Sequence, residues 1–185
     1  MIKIRPLVYL EHREDPIFPY QTVQIGDQIW MAENLHEDDG GEGITTVQSV
    51  ISLGYELGPQ TYYTYDAAVR IANTIDGWHL PTREEMQTLN SVVNSNSANI
   101  KSTYGWKNDG NGTNLTGLNI LPVGRCAPNT SSVSTIGEEA NIWTSTNIDD
   151  TNAYATFIYN FTNVWNNASQ SREKLYKNTV RLIKD

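Results

Sequence analysis

The sequence predicts an α+β domain. Three observations carry that prediction. Two stretches between Thr64 and Asn94 combine cap residues with apolar positions at helical spacing. A Gly-Asp pair lies between alternating apolar residues ahead of them. Past Asn94 the chain breaks into short apolar pieces separated by Gly, Asn and Pro. Helices grouped in the first half and strands in the second imply segregated layers, with no alternating βαβ pattern.

The first element is an arm. Residues 1–19 contain Pro6, Pro16 and Pro19, whose fixed φ and missing donor oppose helix. From Tyr20 to Asp185 the sequence reads as one domain. TVQIGDQIWMAENL follows, with Val23 and Ile25 before Gly26-Asp27 and Ile29 and Met31 after it, which predicts a two-residue hairpin. Residues 36–60 change to EDDGGEG and then ITTVQSVISLGYELGPQ, an expected loop insertion with one short strand at most.

In TYDAAVRIANTIDG, Thr64 is placed to cap a helix whose Ala68, Ile71, Ala72 and Ile75 share a face, and Gly77 supplies the stop. GWHLPTREEMQTL sets up the second helix. Pro81 keeps Leu80 extended, and Thr82 with Glu85 forms a T-x-x-E capping box worth about 1 kcal/mol. Met86, Leu89, Val92 and Val93 form the expected apolar stripe, and NSNSAN ends it. In AYATFIYNF, Ala155, Phe157, Tyr159 and Phe161 alternate with Tyr154, Thr156 and Ile158, a strand with apolar content on both faces, and VRLI puts Val180 and Leu182 on one side of a last strand. There is no internal repeat.

Composition limits the chemistry. The chain has 185 residues with 5 Trp, 10 Tyr and 3 Phe, ample material for one core. A net charge of -8 without basic blocks argues against nucleic acid and anionic membranes as partners. No apolar run reaches the roughly 20 residues that a membrane-spanning helix needs, so membrane insertion is not expected, and the first residues lack the pattern of a signal peptide. The single Cys126 cannot form an internal disulfide, and it reads as a buried free thiol.

Each candidate for chemistry has a structural alternative. His79 has no H-x-x-x-H or H-E-x-x-H companion, and His12 and His36 fall in the arm and the insertion, so His79 reads as structural. The run from Asp109 to Thr113 resembles a cation loop, but Asn114 and Ile120 stand where an EF-hand needs Gly and Glu, which leaves a polar turn. Gly110, Gly112 and Gly117 match no phosphate-binding pattern. No nucleophile, base and oxyanion donors assemble, so no catalytic residue, metal or cofactor is assigned. The stretches holding Asn147, Asp149, Asp150 and Asn152, and Asn163, Trp165, Asn166 and Asn167, are rich in amides and hydroxyls around one indole, a composition suited to ligand or partner contact.

Four pieces in order, TVQIGDQIWMAENL, YYTYDAA, GWHLPTREEMQTL and KSTYGWKNDGNGTNLTGLNILPVGR, followed by IWTST and TVRLIKD, resemble the Fibrobacter succinogenes major paralogous domain from about residue 20 onward. The resemblance implies a C-type lectin-like fold, similar to formylglycine-generating enzymes, with two helices packed on a twisted antiparallel sheet and long variable loops. It implies structural roles for Trp30, Trp78, His79, Pro81, Thr82, Glu85, Trp106 and Trp143, with Trp78 buried where helices and sheet meet. Family members commonly carry a cysteine shortly before GWHLP and another in the last strand, where this chain has Thr74-Ile75 and Leu182. The lectin E-P-N and W-N-D motifs are missing as well, since Lys107-Asn108-Asp109 follows Trp106. Neither calcium-dependent sugar binding nor formylglycine chemistry carries over.

The functional expectation is therefore a non-enzymatic structural or attachment module. A bacteriophage virion component (head, fibre or tail), assembled in the bacterial cytoplasm, fits the missing signal peptide, the missing disulfide and the added arm. That arm would dock on other virion proteins or self-associate. The alternative is a bacterial cell-surface module that binds a glycan or protein receptor through its loops.

Overall fold

The computed structural model describes residues 19–165 and 169–185. The arm expected over residues 1–19 thus lies, Pro19 apart, outside the described residues, as do Asn166 and Asn167. Tyr20 already belongs to the folded body, buried, with its hydroxyl on Glu37 Oε1 at 3.0 Å.

The predicted hairpin forms from β1 (Thr22–Ile25) and β2 (Gln28–Met31), with Val23 opposite Trp30 and Gly26 at φ +62° in the turn. That register puts Val23 and Ile25 on the face of Trp30, while Met31 turns to the other side. Residues 36–60 correct the expectation of a loop with one strand at most. They supply β3 (Ile44–Val47), β4 (Ile51–Ser52) and β5 (Tyr55–Glu56), and they lead into β6 (Gln60–Tyr63). β3 pairs with β6 around the smaller β4–β5 hairpin, whose tip turns on Leu53 and Gly54, both at positive φ. Two-residue strands have no period to read, which is why the sequence conceals them.

Helix α1 (Tyr65–Ala72) is capped by Thr64, whose hydroxyl accepts from Ala67 N. It stops a turn short of Gly77 because Thr74 N and Thr74 Oγ1 both take the Ile71 carbonyl and Ile75 N takes that of Ala72. After β7 (Trp78–His79), helix α2 (Arg83–Val92) begins with the complete capping box. Glu85 N bonds Thr82 Oγ1 at 3.1 Å, and Thr82 N bonds Glu85 Oε2 at 2.7 Å. The stripe is Met86, Leu89, Asn90 and Val93, at i, i+3, i+4 and i+7. Val92 falls off it and is 45% exposed, a correction to the expected set.

The second half supplies β8 (Arg125–Cys126), β9 (Val133–Ser134), β10 (Glu139–Asn147), β11 (Asn152–Tyr159), β12 (Gln170–Glu173) and β13 (Ile183–Lys184). Every pairing between these named strands is antiparallel, in sheets ordered β1-β2-β13-β7 and β10-β11-β12 with three two-stranded pairs beside them. Among the described residues the architecture is mixed α/β, with two α-helices and antiparallel sheets.

The β10–β11 hairpin is the axis of the molecule. On one face Trp143, Ala155 and Phe157 join Ala68, Ile71 and Ala72 of α1. On the other, Ile142 and Ile158 join Met86 and Leu89 of α2. Strand alternation therefore sets the helices on opposite sides of the hairpin. The chain entering β13 continues the same division, with Leu182 on the α1 side and Ile183 on the α2 side. Trp30, Trp106 and Trp143 are fully buried. Trp78 is only half-buried, which corrects the expectation for it. It packs against the α1-side core from β7, the edge strand of its sheet.

Candidate functional site

The two amide-rich stretches flank β11 in the chain. Asn147, Asp149, Asp150 and Asn152 lie at the turn that opens β11, and Asn163 and Trp165 lie past its far end.

Within the turn, Asp149 is committed to the backbone. Its Oδ1 accepts from Thr151 N at 2.8 Å, Thr151 Oγ1 at 2.9 Å and Asn152 N at 2.7 Å. These bonds, led by the Thr151 N–H, lower its pKa to about 2. Asn147 and Asp150 stand exposed beside it.

At the far end Trp165 is 4% exposed and packs in the α2-side core, so it offers no face to solvent. Its carbonyl accepts from Asn90 Nδ2, and among the described residues its own indole N–H has no acceptor. Asn163 acts as a tie: its carbonyl accepts from Ser97 N at 2.9 Å and its Oδ1 accepts from Lys101 Nζ at 2.9 Å. Lys101, buried over the Trp106 ring at 4.7 Å, is a residue that the sequence did not single out. Burial lowers its pKa to about 8.

His79 does have partners. Its Nδ1 lies 2.6 Å from Asp185 Oδ1, and its Nε2 lies 3.0 Å from Glu85 Oε1. Burial alone would lower the imidazole pKa, but the hydrogen bonds to Asp185 and Glu85 outweigh it and raise the value. Glu85 thus serves the capping box and the histidine together, while Leu80-Pro81 joins β7 to α2. Cys126 is fully buried, and burial pushes its thiol pKa up.

The DGNGT run is a packing turn. Asn108 and Asp109 take positive φ, Asn111 Oδ1 accepts from Trp106 N at 3.0 Å, and a Cβ on Gly110 or Gly112 would strike the backbone of Asn160 or of Lys101. Among the described residues no three His, Cys, Asp or Glu side chains gather as a metal site, and no helix is long and apolar enough to cross a membrane.

The densest polar cluster lies elsewhere, on the α1-side face of the β10-β11-β12 sheet. Arg172 stacks its guanidinium between Phe157 at 4.4 Å and Tyr176 at 4.6 Å and donates to Asn141 Oδ1 at 3.2 Å. Arg125 reaches the same Tyr176 ring at 5.6 Å and pairs with Glu139. Phe157, Tyr159 and Phe161 form a ladder, the last two stacked at 5.0 Å and 24°. The alternation of AYATFIYNF contains this ladder, but only the fold brings Arg125 and Arg172 to it.

A model of the Fibrobacter succinogenes major domain matches residues 23–184, from within β1 to within β13. This chain belongs to that family. No curated protein and no solved structure matches the chain. In this member of the Fibrobacter succinogenes major domain family, TVQIGDQIW forms the hairpin, GWHLPTREE forms the edge strand and capping box, and TVRLIKD forms the strand that unites them.

Proposed function

We propose that this chain is a non-enzymatic structural or attachment module, a bacteriophage virion component of head, fibre or tail that docks through its N-terminal arm. The observation that carries the reading is the commitment of its reactive side chains to the framework. The His79 imidazole bonds two carboxylates, Lys101 Nζ bonds the Tyr159 carbonyl and Asn163, and the Cys126 thiol is sealed in the core. Groups held this way serve packing better than turnover. The β4–β5 hairpin adds an exposed apolar tip, with Ile51, Leu53 and Tyr55 each more than half exposed, suited to contact with another protein chain. The finer fold reading, C-type lectin-like, rests on two helices around antiparallel strands with long connecting loops.

Purified phage particles should contain peptides of this chain by mass spectrometry, and a variant lacking residues 1–18 should fail to incorporate. Recovery of the chain in the cell envelope, with unchanged assembly of the shortened variant, would overturn the proposal. That result would favour the second reading, a bacterial surface recognition module. The open aromatic pair Tyr159 and Phe161 beside two arginines is the feature that supports it.

A further inference from the structure

Leu53 stands at the tip of the β4–β5 hairpin in a backbone conformation that leucine disfavours. Leu53 and Gly54 take φ of +52° and +79°, the geometry of a two-residue turn that Asn-Gly or Gly-Gly fills without strain. The leucine gains little burial in return, being 59% exposed. The hairpin beneath it is firmly seated. Val50 and Leu57 are buried with Tyr62, Val123 and Cys126, and Ser52 Oγ donates to the Gly105 carbonyl at 2.6 Å. The Tyr55 ring lies 5.4 Å from that of Tyr104. Ile51, Leu53 and Tyr55 are thus exposed on an anchored base, and residues 47–58 carry a single charge, Glu56. Strain kept at an exposed apolar tip, where it does nothing for the fold, marks a contact residue.

The sequence holds a segment of matching chemistry. Residues 1–10, MIKIRPLVYL, lie outside the described residues and outside the family match, which starts at residue 23. Ile2, Ile4, Leu7, Val8 and Leu10 supply apolar surface. Lys3 and Arg5, with no acid among those ten residues, give the segment a charge of +2, which leaves -10 on the rest of a chain whose total is -8. Glu56 puts part of that negative charge on the hairpin itself. Residues 11–18 form a tether of up to about 26 Å at roughly 3.3 Å per residue. Pro16 and Pro19 stiffen its root, so reaching a neighbour costs less than turning back onto the same body.

We infer that the β4–β5 tip, with Leu53 at its centre, receives residues 2–10 of a second copy of this chain. The contact is head-to-tail and so continues from copy to copy. The inference rests on the reading of the arm as a docking element and names the surface on which it docks.

Sedimentation velocity of the full-length chain over a concentration series tests it, with Leu53→Asn and Val8→Asp as variants. The wild type should assemble beyond dimers as concentration rises, and each variant should associate at least tenfold more weakly. Leu53→Asn should melt no lower than the wild type, because asparagine suits the turn, and this separates a lost contact from lost folding. A mixture of the two variants should give a heterodimer and nothing larger, since one retains the arm and the other the tip. A wild type that stays monomeric overturns the inference, as does a Leu53→Asn chain that assembles normally or a mixture that forms no heterodimer. Phage particles that require residues 1–18 yet incorporate Leu53→Asn normally would sink this inference and leave the docking arm standing. Head-to-tail assembly of a chain recovered in the cell envelope would do the reverse, keeping the contact and removing the virion.

Discussion

His79 stands between Glu85 and Asp185, 3.0 Å from one carboxylate and 2.6 Å from the other, and so clasps the start of α2 to the last strand. The raised pKa of His79 and the lowered pKa of Glu85 give this clasp a pH window. For Glu85, burial acts to raise the value, while the Thr82 N–H and His79 lower it further than burial raises it. A histidine whose folded pKa is raised adds stability that is complete below its unfolded value and fades as pH climbs through the folded one. A carboxylate whose folded pKa is lowered adds stability above its unfolded value and loses it as pH falls through the folded one. The melting temperature of the wild type should therefore exceed that of His79→Gln most at weakly acidic pH, between the ordinary carboxylate and imidazole ranges. The gap should narrow toward alkaline pH and again in strong acid. A gap independent of pH would refute the clasp.

Arg181 is a second tie, and an entirely interior one. Its Nε donates to Asn34 Oδ1 at 2.6 Å, Nη1 to the carbonyls of Met31 at 3.1 Å and Leu118 at 2.7 Å, and Nη2 to that of Asn119 at 3.1 Å. Burial pulls its pKa down, and four oxygens around the guanidinium compensate. Arg181→Met should cost about 3–5 kcal/mol, since those acceptors lose their donor inside the core. Arg181→Lys should recover little of it, because one ammonium cannot span the fork. Denaturant midpoints will report both.

Trp165 separates packing from recognition. Trp165→Ala should destabilise the fold by about 3–5 kcal/mol by opening a large cavity. Trp165→Phe should cost far less, because the ring volume is largely kept and the indole N–H it removes has no acceptor among the described residues. Equilibrium unfolding of the two variants checks the order.

Cys126 should resist a maleimide in the native state and react at a rate set by opening of the core. Its side chain is fully buried, and burial holds the thiol protonated. Labelling followed by mass spectrometry across a urea series should track global unfolding. Rapid labelling without denaturant would contradict the burial.

What the sequence revealed was local. The capping box of Thr82 and Glu85 and the turn at Gly26 depend on residues two to three positions apart, and both appear as expected. Arg181 was hidden because an arginine between Val180 and Leu182 reads as the wet side of an alternating strand. Its acceptors come from Met31, Asn34, Leu118 and Asn119, far away in the chain. The burial of Trp165 was hidden because its neighbours in the chain are polar, and composition carries no depth. Arg125 and Arg172 went unnoticed for a related reason. Each is ordinary in its own neighbourhood, and only the sheet gives them a common ring.

The position of β13 between β2 and β7 has a consequence for biogenesis. During synthesis the early hairpin emerges with one flank unsatisfied and waits about 150 residues for the strand that covers it, a high-contact-order closure that makes folding late and slow. A ribosome that stalls before Ile183 would leave a nascent chain with an adhesive rim, the kind of species that chaperones hold or proteases remove.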